Sequence, residues 1–236
     1  MLEEGIIIDV KVYSNSSLIV KIFSKEGKKT GFIKGGLKLK NKITIASLVY
    51  FKISKRLEEH LGSLKIEVVK SFALLNIKNR LKTCLINCIL EVIFFFVQEE
   101  IPEPELYEEM KNLLELMEKE ENFILLLQKY ALFEVKLLFY LGFGMDFSIC
   151  AMTGSKENLF FLSPITGKCA SFEAAKDFKE KLFELPKLYG NKMLKTTEKE
   201  DVINALRINL HFFSTIHNFE KLFLRRNCEK LIFSVI

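Results

Sequence analysis

Seven lysines crowd residues 25–42: Lys25, Lys28, Lys29, Lys34, Lys38, Lys40 and Lys42, against a single acid, Glu26. Ammonium groups at this density suit a polyanionic ligand, because each phosphate contact releases condensed counterions and adds affinity that does not depend on base sequence. Phe32 stands among them, as either a core residue of its strand or an aromatic face on which a base can stack. The remaining reactive residue types form no constellation. His211 and His217 are six apart, so they share no helix face, and His60 is remote from both. Ser16 and Ser17 have no nearby base. No phosphate-binding loop, dinucleotide fingerprint or paired catalytic acids occur, and the reading is of a protein that is not an enzyme and needs no cofactor.

The elements that would carry the lysines are short strands. Ile6, Ile8, Val10 and Val12 alternate with Asp9 and Lys11, and Leu18, Val20 and Ile22 repeat the pattern around Lys21. Ser14-Asn15-Ser16 supplies a turn between them. A third strand through Gly31–Lys34 breaks at Gly35-Gly36, and two more cover roughly 45–53 and 64–74. Five strands in about 75 residues predict a small antiparallel barrel of the OB type. Tyr50 and Phe51 must face opposite sides of their strand. Arg56 falls at the barrel rim.

Beyond Asn76 the period becomes helical. Leu81, Leu85, Cys88, Ile89, Val92 and Phe96 mark one helix, which ends before Pro102. Pro104-Glu105 opens a second. Residues 122–141 form a third, ending at Gly142-Phe143-Gly144. Ser171 is expected to cap a helix over 172–185, and Thr197 or Glu198 begins a last long one. Glu99, Glu100, Glu103, Glu105, Glu108 and Glu109 read as a solvated acidic run.

Charge divides the chain at the same place. Residues 1–78 hold 15 of the 35 basic and 7 of the 30 acidic side chains, a local net charge of +8, and the rest of the chain is mildly acidic. With 49% apolar and 28% charged residues a substantial core is expected, without disorder. The apolar run Ile93–Val97, within Cys84–Val97, is too short to span a bilayer and reads as a buried helix. The acidic N-terminus predicts no signal peptide. Five cysteines without a tight framework suggest reduced thiols and a cytoplasmic protein; Cys84 and Cys88, four apart on an apolar helix, read as buried small hydrophobes.

An ordered set of segments resembles the RecO family of bacterial DNA repair proteins. It comprises Gly5-Ile6-Ile7-Ile8, Ser16-Ser17-Leu18-Ile19-Val20-Lys21-Ile22-Phe23 and Gly31-Phe32-Ile33-Lys34-Gly35-Gly36 with the lysines after it. Further along come Phe133–Phe143 ending in Leu141-Gly142-Phe143, Phe147–Gly154 followed by Phe161–Lys168, and Ala205–Phe213. The resemblance implies an α+β chain: an OB-fold DNA-binding domain at 1–78, then an all-helical domain at 79–236. It further implies binding of single- and double-stranded DNA, annealing of complementary strands, and loading of recombinase with RecR and the single-strand-binding protein SSB at the nucleoid. Many family members hold zinc through two Cys-x-x-Cys pairs in the segment matching 145–172. This chain has only Cys150 and Cys169 there, with Thr153 and Phe172 at the third positions after them, so that finger-like segment lacks the four donors zinc needs.

The expected DNA contacts are Lys25, Lys28, Lys29, Phe32, Lys34, Lys38, Lys40, Lys42 and Arg56. Lys129 and Lys136, seven apart on the apolar helix, are candidates to hold the acidic, Phe-ended tail of SSB. A protein-interaction adaptor or an RNA-binding OB protein would use the same features.

Overall fold

A computed structural model describes residues 2–14, 16–39, 41–55, 61–191, 194–216 and 222–235; Lys40, Arg56, His60, His217 and Asn15 of the expected turn lie outside these. The chain forms two compact units, residues 1–120 with 222–231, and residues 121–221 with 232–236.

The first unit is built on β1 (Glu3–Ser14), β2 (Ser17–Ser24), β3 (Gly27–Ile33), β4 (Ser47–Ser54) and β5 (Gly62–Ser71), closed into a barrel in the order β1-β2-β3-β5-β4. This is the OB arrangement, in which closure removes the exposed edges. Ile7, Leu18, Val20, Ile22, Ile33, Ile43, Val49, Phe51 and Leu64 fill the interior. The only parallel pairing among these strands, β3 with β5, sets Gly31 opposite Gly62. A Cβ at Gly31 would lie 2.7 Å from that of Leu64, so closure there requires glycine.

The alternation expected for β1 is broken. The register steps from Ile7↔Ile22 to Asp9↔Lys21, leaving Ile8 as an extra residue in a bulge. Ile7 and Val10 therefore face the interior, whereas Ile6, opposite Phe23, is buried on the outer face. The helices α2 (Arg80–Phe96) and α3 (Pro104–Lys119) cover that outer face, α2 packing on β1 and α3 on β2. The Phe23 and Tyr107 rings meet edge to face at 5.9 Å, and Glu4 accepts hydrogen bonds from Tyr107 (2.9 Å) and Lys111 (2.7 Å). A single helical turn, α1 (Phe72–Leu75), takes the place of the expected end of β5.

The second unit contains α4 (Phe123–Tyr140), α5 (Glu198–Ser214) and a four-stranded sheet of β6 (Asp146–Cys150), β7 (Leu159–Leu162), β8 (Lys168–Ser171) and β9 (Phe183–Glu184), in the order β6-β8-β7-β9. The domain expected to be all-helical thus contains a sheet, three of whose strands fall in the finger-like segment 145–172. Asn122 caps α4 by accepting from the Ile124 and Leu125 N–H groups. Thr197 and Glu200 form a capping box at α5. Asn209, fully buried on α5, donates to the Ala131 carbonyl (2.9 Å) and the Glu134 carboxylate (3.2 Å) on α4, and accepts from Tyr189 (2.7 Å).

The helix expected over 172–185 is absent. Ser171 accepts from the Ala174 N–H, but the bonds that follow, Phe178 to Ala175, Lys181 to Phe178 and Leu182 to Lys179, span three residues rather than four. Phe178 and Leu182 pack against Cys150, Phe161, Ala170 and Ala175, and Phe183 pairs with Leu162 as a sheet edge. Burial on the sheet and edge pairing override the local helical pattern. A last helix, α6 (Phe223–Val235), lies beyond the final one expected.

Candidate nucleic-acid interface

Rows of residues run across the outer face of β1, β2 and β3: Asp9–Lys21–Thr30, then Lys11–Ile19–Phe32. One end of this face lies under α2, and the other is open beside the β1–β2 turn. The lysines divide into those matched within the protein, some of them off this face, and those left unmatched.

Cations of the first group already have partners. The Lys28 side chain is only 6% exposed and donates to the Phe94 carbonyl at 2.8 Å. Burial, then repulsion by Lys21, lowers its pKa against the opposing pull of Glu99. Lys25 pairs with Glu108 (2.6 Å), Lys29 with Glu3 (2.6 Å), Lys21 with Glu99 (2.7 Å) and Lys55 with Glu100 (2.6 Å). Burial favours the neutral form of Glu99, but the hydrogen bond and charge of Lys21, aided by Lys28 and Thr30, hold its pKa below the usual carboxylate value. Glu99, Glu100 and Glu108 of the acidic run thus keep solvent-exposed side chains while pairing with barrel lysines. The charge break in the sequence is closed in space.

For the second group the situation reverses. Gly35, with φ of +71°, turns the chain out of β3 into a 3-10 turn at Gly36–Leu39. Lys34, Lys38 and Lys42 are exposed, and none makes an ion pair among the described residues. Phe32, half-buried, meets Tyr13 edge to face at 5.9 Å, and Tyr13 is 66% exposed. Lys11 joins the same face, 3.6 Å from Asp9 and 5.7 Å from the centre of the Phe94 ring. Sequence reasoning missed Lys11; its two-residue spacing from Tyr13 on one strand was the available signal. Of the adjacent aromatics on β4, Phe51 is core and Tyr50 is exposed, but Tyr50 lies opposite Glu4 and Glu67, an acidic setting.

In the second unit, Lys129 and Lys136 are both exposed on α4. At helical spacing they share a stripe with half-buried Leu132 and with Phe139, whose side chain is 71% exposed. His211 contacts the Pro164 carbonyl through Nε2 at 2.9 Å, a structural role.

Cys150 and Cys169 are buried cross-strand partners on β6 and β8. Burial alone would raise the Cys150 thiol. The Thr153 hydroxyl and the N–H groups of Ser171, Met152 and Thr153 overcome it and bring the pKa down to about 6. Burial, then the charges of Asp146 and Cys150, pushes Cys169 up to about 12. Thr153 therefore stabilises the Cys150 sulfur by hydrogen bonding, and no third metal-ligating side chain gathers with this pair among the described residues.

The family profile for the Recombination protein O N terminal matches residues 1–72, and that for the Recombination protein O C terminal matches 78–226. The chain is similar to the DNA repair protein RecO of Ruegeria sp. (strain TM1040), 30% identical over 216 residues, covering 90% of this chain and 88% of the relative. The corresponding protein of Bartonella tribocorum is 32% identical over 221 residues, covering 89% and 84%. That of Wolbachia pipientis subsp. Culex pipiens is 30% identical over 236 residues, covering 96% and 93%. With both profiles matched in order and barrel closure of the OB kind, this chain belongs to the RecO family.

Proposed function

We propose that this protein is a non-catalytic recombination mediator in DNA repair. It binds single- and double-stranded DNA through the backbone, anneals complementary strands, and acts with RecR to load recombinase onto SSB-coated DNA. Support for the repair role comes from the family and from relatives named DNA repair proteins. The observation that carries DNA binding is that Lys34, Lys38 and Lys42, exposed on the segment that follows β3, lack acidic partners among the described residues, while the Tyr13–Phe32 pair offers rings on the neighbouring β1-β2-β3 face. OB folds bind oligonucleotides on this β2–β3 face and its flanking loops, with cations tracking phosphates and rings stacking on bases.

DNA contact is assigned to residues 1–78 and partner contact to 79–236. Within the first, Lys34, Lys38 and Lys42 carry the interaction, joined by Lys40 and Arg56, whereas Lys25 and Lys28 hold the barrel to its helices and Lys29 pairs with Glu3 inside the barrel. Bringing two strands onto one cationic face lowers their mutual repulsion, so annealing requires no chemical step. The Lys129–Lys136 stripe receives the SSB tail, its cations meeting the acidic residues and Leu132 and Phe139 the terminal ring. None of the described helices is long and apolar enough to cross a membrane, and we assign the protein to the cytoplasm at the nucleoid.

The deciding experiment is a salt-dependent titration of the full chain against single-stranded DNA, double-stranded DNA and RNA of equal length. Salt-sensitive, sequence-tolerant binding to both DNA forms is expected. A salt-independent response or a strong preference for RNA would overturn the reading, and no nucleic-acid binding at all would favour a protein adaptor.

A further inference from the structure

Three of the five cysteines converge where the sequence offered no hint. Cys84 and Cys88 lie one turn apart on α2, and Cys228 comes from α6, far along the chain. Their sulfur atoms all lie within 4.8 Å of one another. Cys88 and Cys228 are buried, and Cys84 is half-exposed. The helix pair is held in place beside them: Glu91, three residues beyond Cys88, accepts from the Leu224 and Arg225 N–H groups at the start of α6, both at 2.9 Å. The positive charges of Arg225 and Arg80 act on Cys84.

We propose that Cys84, Cys88 and Cys228 form a site for a thiophilic d10 metal ion of the zinc and cadmium class. Three thiolates around zinc at about 2.3 Å would stand about 3.8 Å apart, so a contraction of no more than about 1 Å completes the set. Thiolate ligands select such ions over hard cations. Binding a divalent ion as three thiolates sends the remaining thiol protons to solvent and leaves a site with one net negative charge beside the two arginines. No fourth protein ligand gathers with the three among the described residues, so water takes the fourth position, entering past half-exposed Cys84. Bound metal would staple α6 to α2. This site is separate from the Cys150–Cys169 pair and independent of the DNA-binding reading.

The test uses the full chain, reduced and stripped of metal, titrated with Cd²⁺ while thiolate-to-cadmium absorbance is recorded in the ultraviolet. One Cd²⁺ per chain is expected. Loss of an outer-shell partner alone weakens metal sites 10–100-fold, so removing a ligand in Cys228→Ser should weaken binding by more than about 100-fold. Cys150→Ser and Cys169→Ser should leave it unchanged. Alkylation mapped by mass spectrometry serves as a check that needs no variant: Cd²⁺ should protect Cys84 in the wild-type chain. Absence of the absorbance band in reduced, folded protein, its persistence in Cys228→Ser, or alkylation of Cys84 undiminished by Cd²⁺ would each overturn the proposal.

Discussion

Lys28 donates its ammonium hydrogen to the carbonyl oxygen of Phe94, 2.8 Å away, and this bond ties β3 to the last turn of α2. A cation in the middle of the lysine-rich segment is thereby committed to the protein's own backbone. Lys28→Met should leave that carbonyl without its partner and destabilise the fold by about 1–3 kcal/mol, read as a lower denaturant midpoint. DNA affinity of the folded variant should stay within about twofold of wild type. An affinity loss as large as that of a Lys34 variant would return Lys28 to the interface.

Lys34→Glu, Lys38→Glu and Lys42→Glu combined should abolish binding to single-stranded DNA and leave the circular dichroism spectrum unchanged, since all three side chains are exposed. Single alanine variants should each reduce the slope of log K against log salt by about 0.7. Lys25→Ala and Lys29→Ala, whose charges are matched by Glu108 and Glu3, should barely change it.

Tyr13→Ala and Phe32→Ala test stacking separately from charge. Each should cost about 1–3 kcal/mol of affinity for single strands without altering the salt slope, because no phosphate contact is lost. Affinity for duplex, whose bases are already stacked, should fall less. Equal losses for both DNA forms would argue that the pair supports the fold alone.

The Cys150 thiol sets a pH dependence with a definite sign. Its folded pKa, about 6, lies below the ordinary thiol value of about 8.5, so between these pH values the unfolded chain binds the extra proton. Stability should therefore rise from pH 6 to about 8.5 through this group, and this contribution is lost as pH falls through 6. Cys169, raised to about 12, acts oppositely and erodes stability above about pH 8.5. Thermal melts of wild type and Cys150→Ser across pH 6–8.5 should diverge, with the rise missing from the variant. Zinc content of purified protein should be unaffected by removing both Cys150 and Cys169.

For the partner site, an acidic peptide ending in phenylalanine, titrated against the full chain, should bind in a salt-sensitive manner. Lys129→Ala and Lys136→Ala should weaken it severalfold, and Phe139→Ala should weaken it without changing salt sensitivity. Binding indifferent to all three substitutions would move the site away from α4.

How much of this was legible depends on how local its causes are. Leu18, Val20 and Ile22 face the barrel interior as their alternation required, and Pro104, Asn122 and Thr197 begin helices for reasons confined to one turn. The bulge at Ile8 was not legible, because an extra residue is defined only by the partner strand it fails to match. Nor was the division of the lysines. Lys25 and Lys34 look alike in sequence; only the return of Glu99, Glu100 and Glu108 through α2 and α3 separates matched cations from unmatched ones. Cys228 escaped notice for the same reason, since its companions lie on a helix distant in sequence.

The bulge at Ile8 also bears on how this protein can be dissected. One strand buries side chains on both of its faces, Ile7 and Val10 inward and Ile6 outward against the helices. A gene fragment cut to the barrel alone would lay Ile6 and Phe23 bare as a contiguous greasy patch on the rear of β1 and β2. Such a minimal module would self-associate, and its apparent DNA affinity would report avidity among aggregated copies instead of the intrinsic strength of one face. A dissection that keeps α2 and α3 attached to the barrel avoids that artefact.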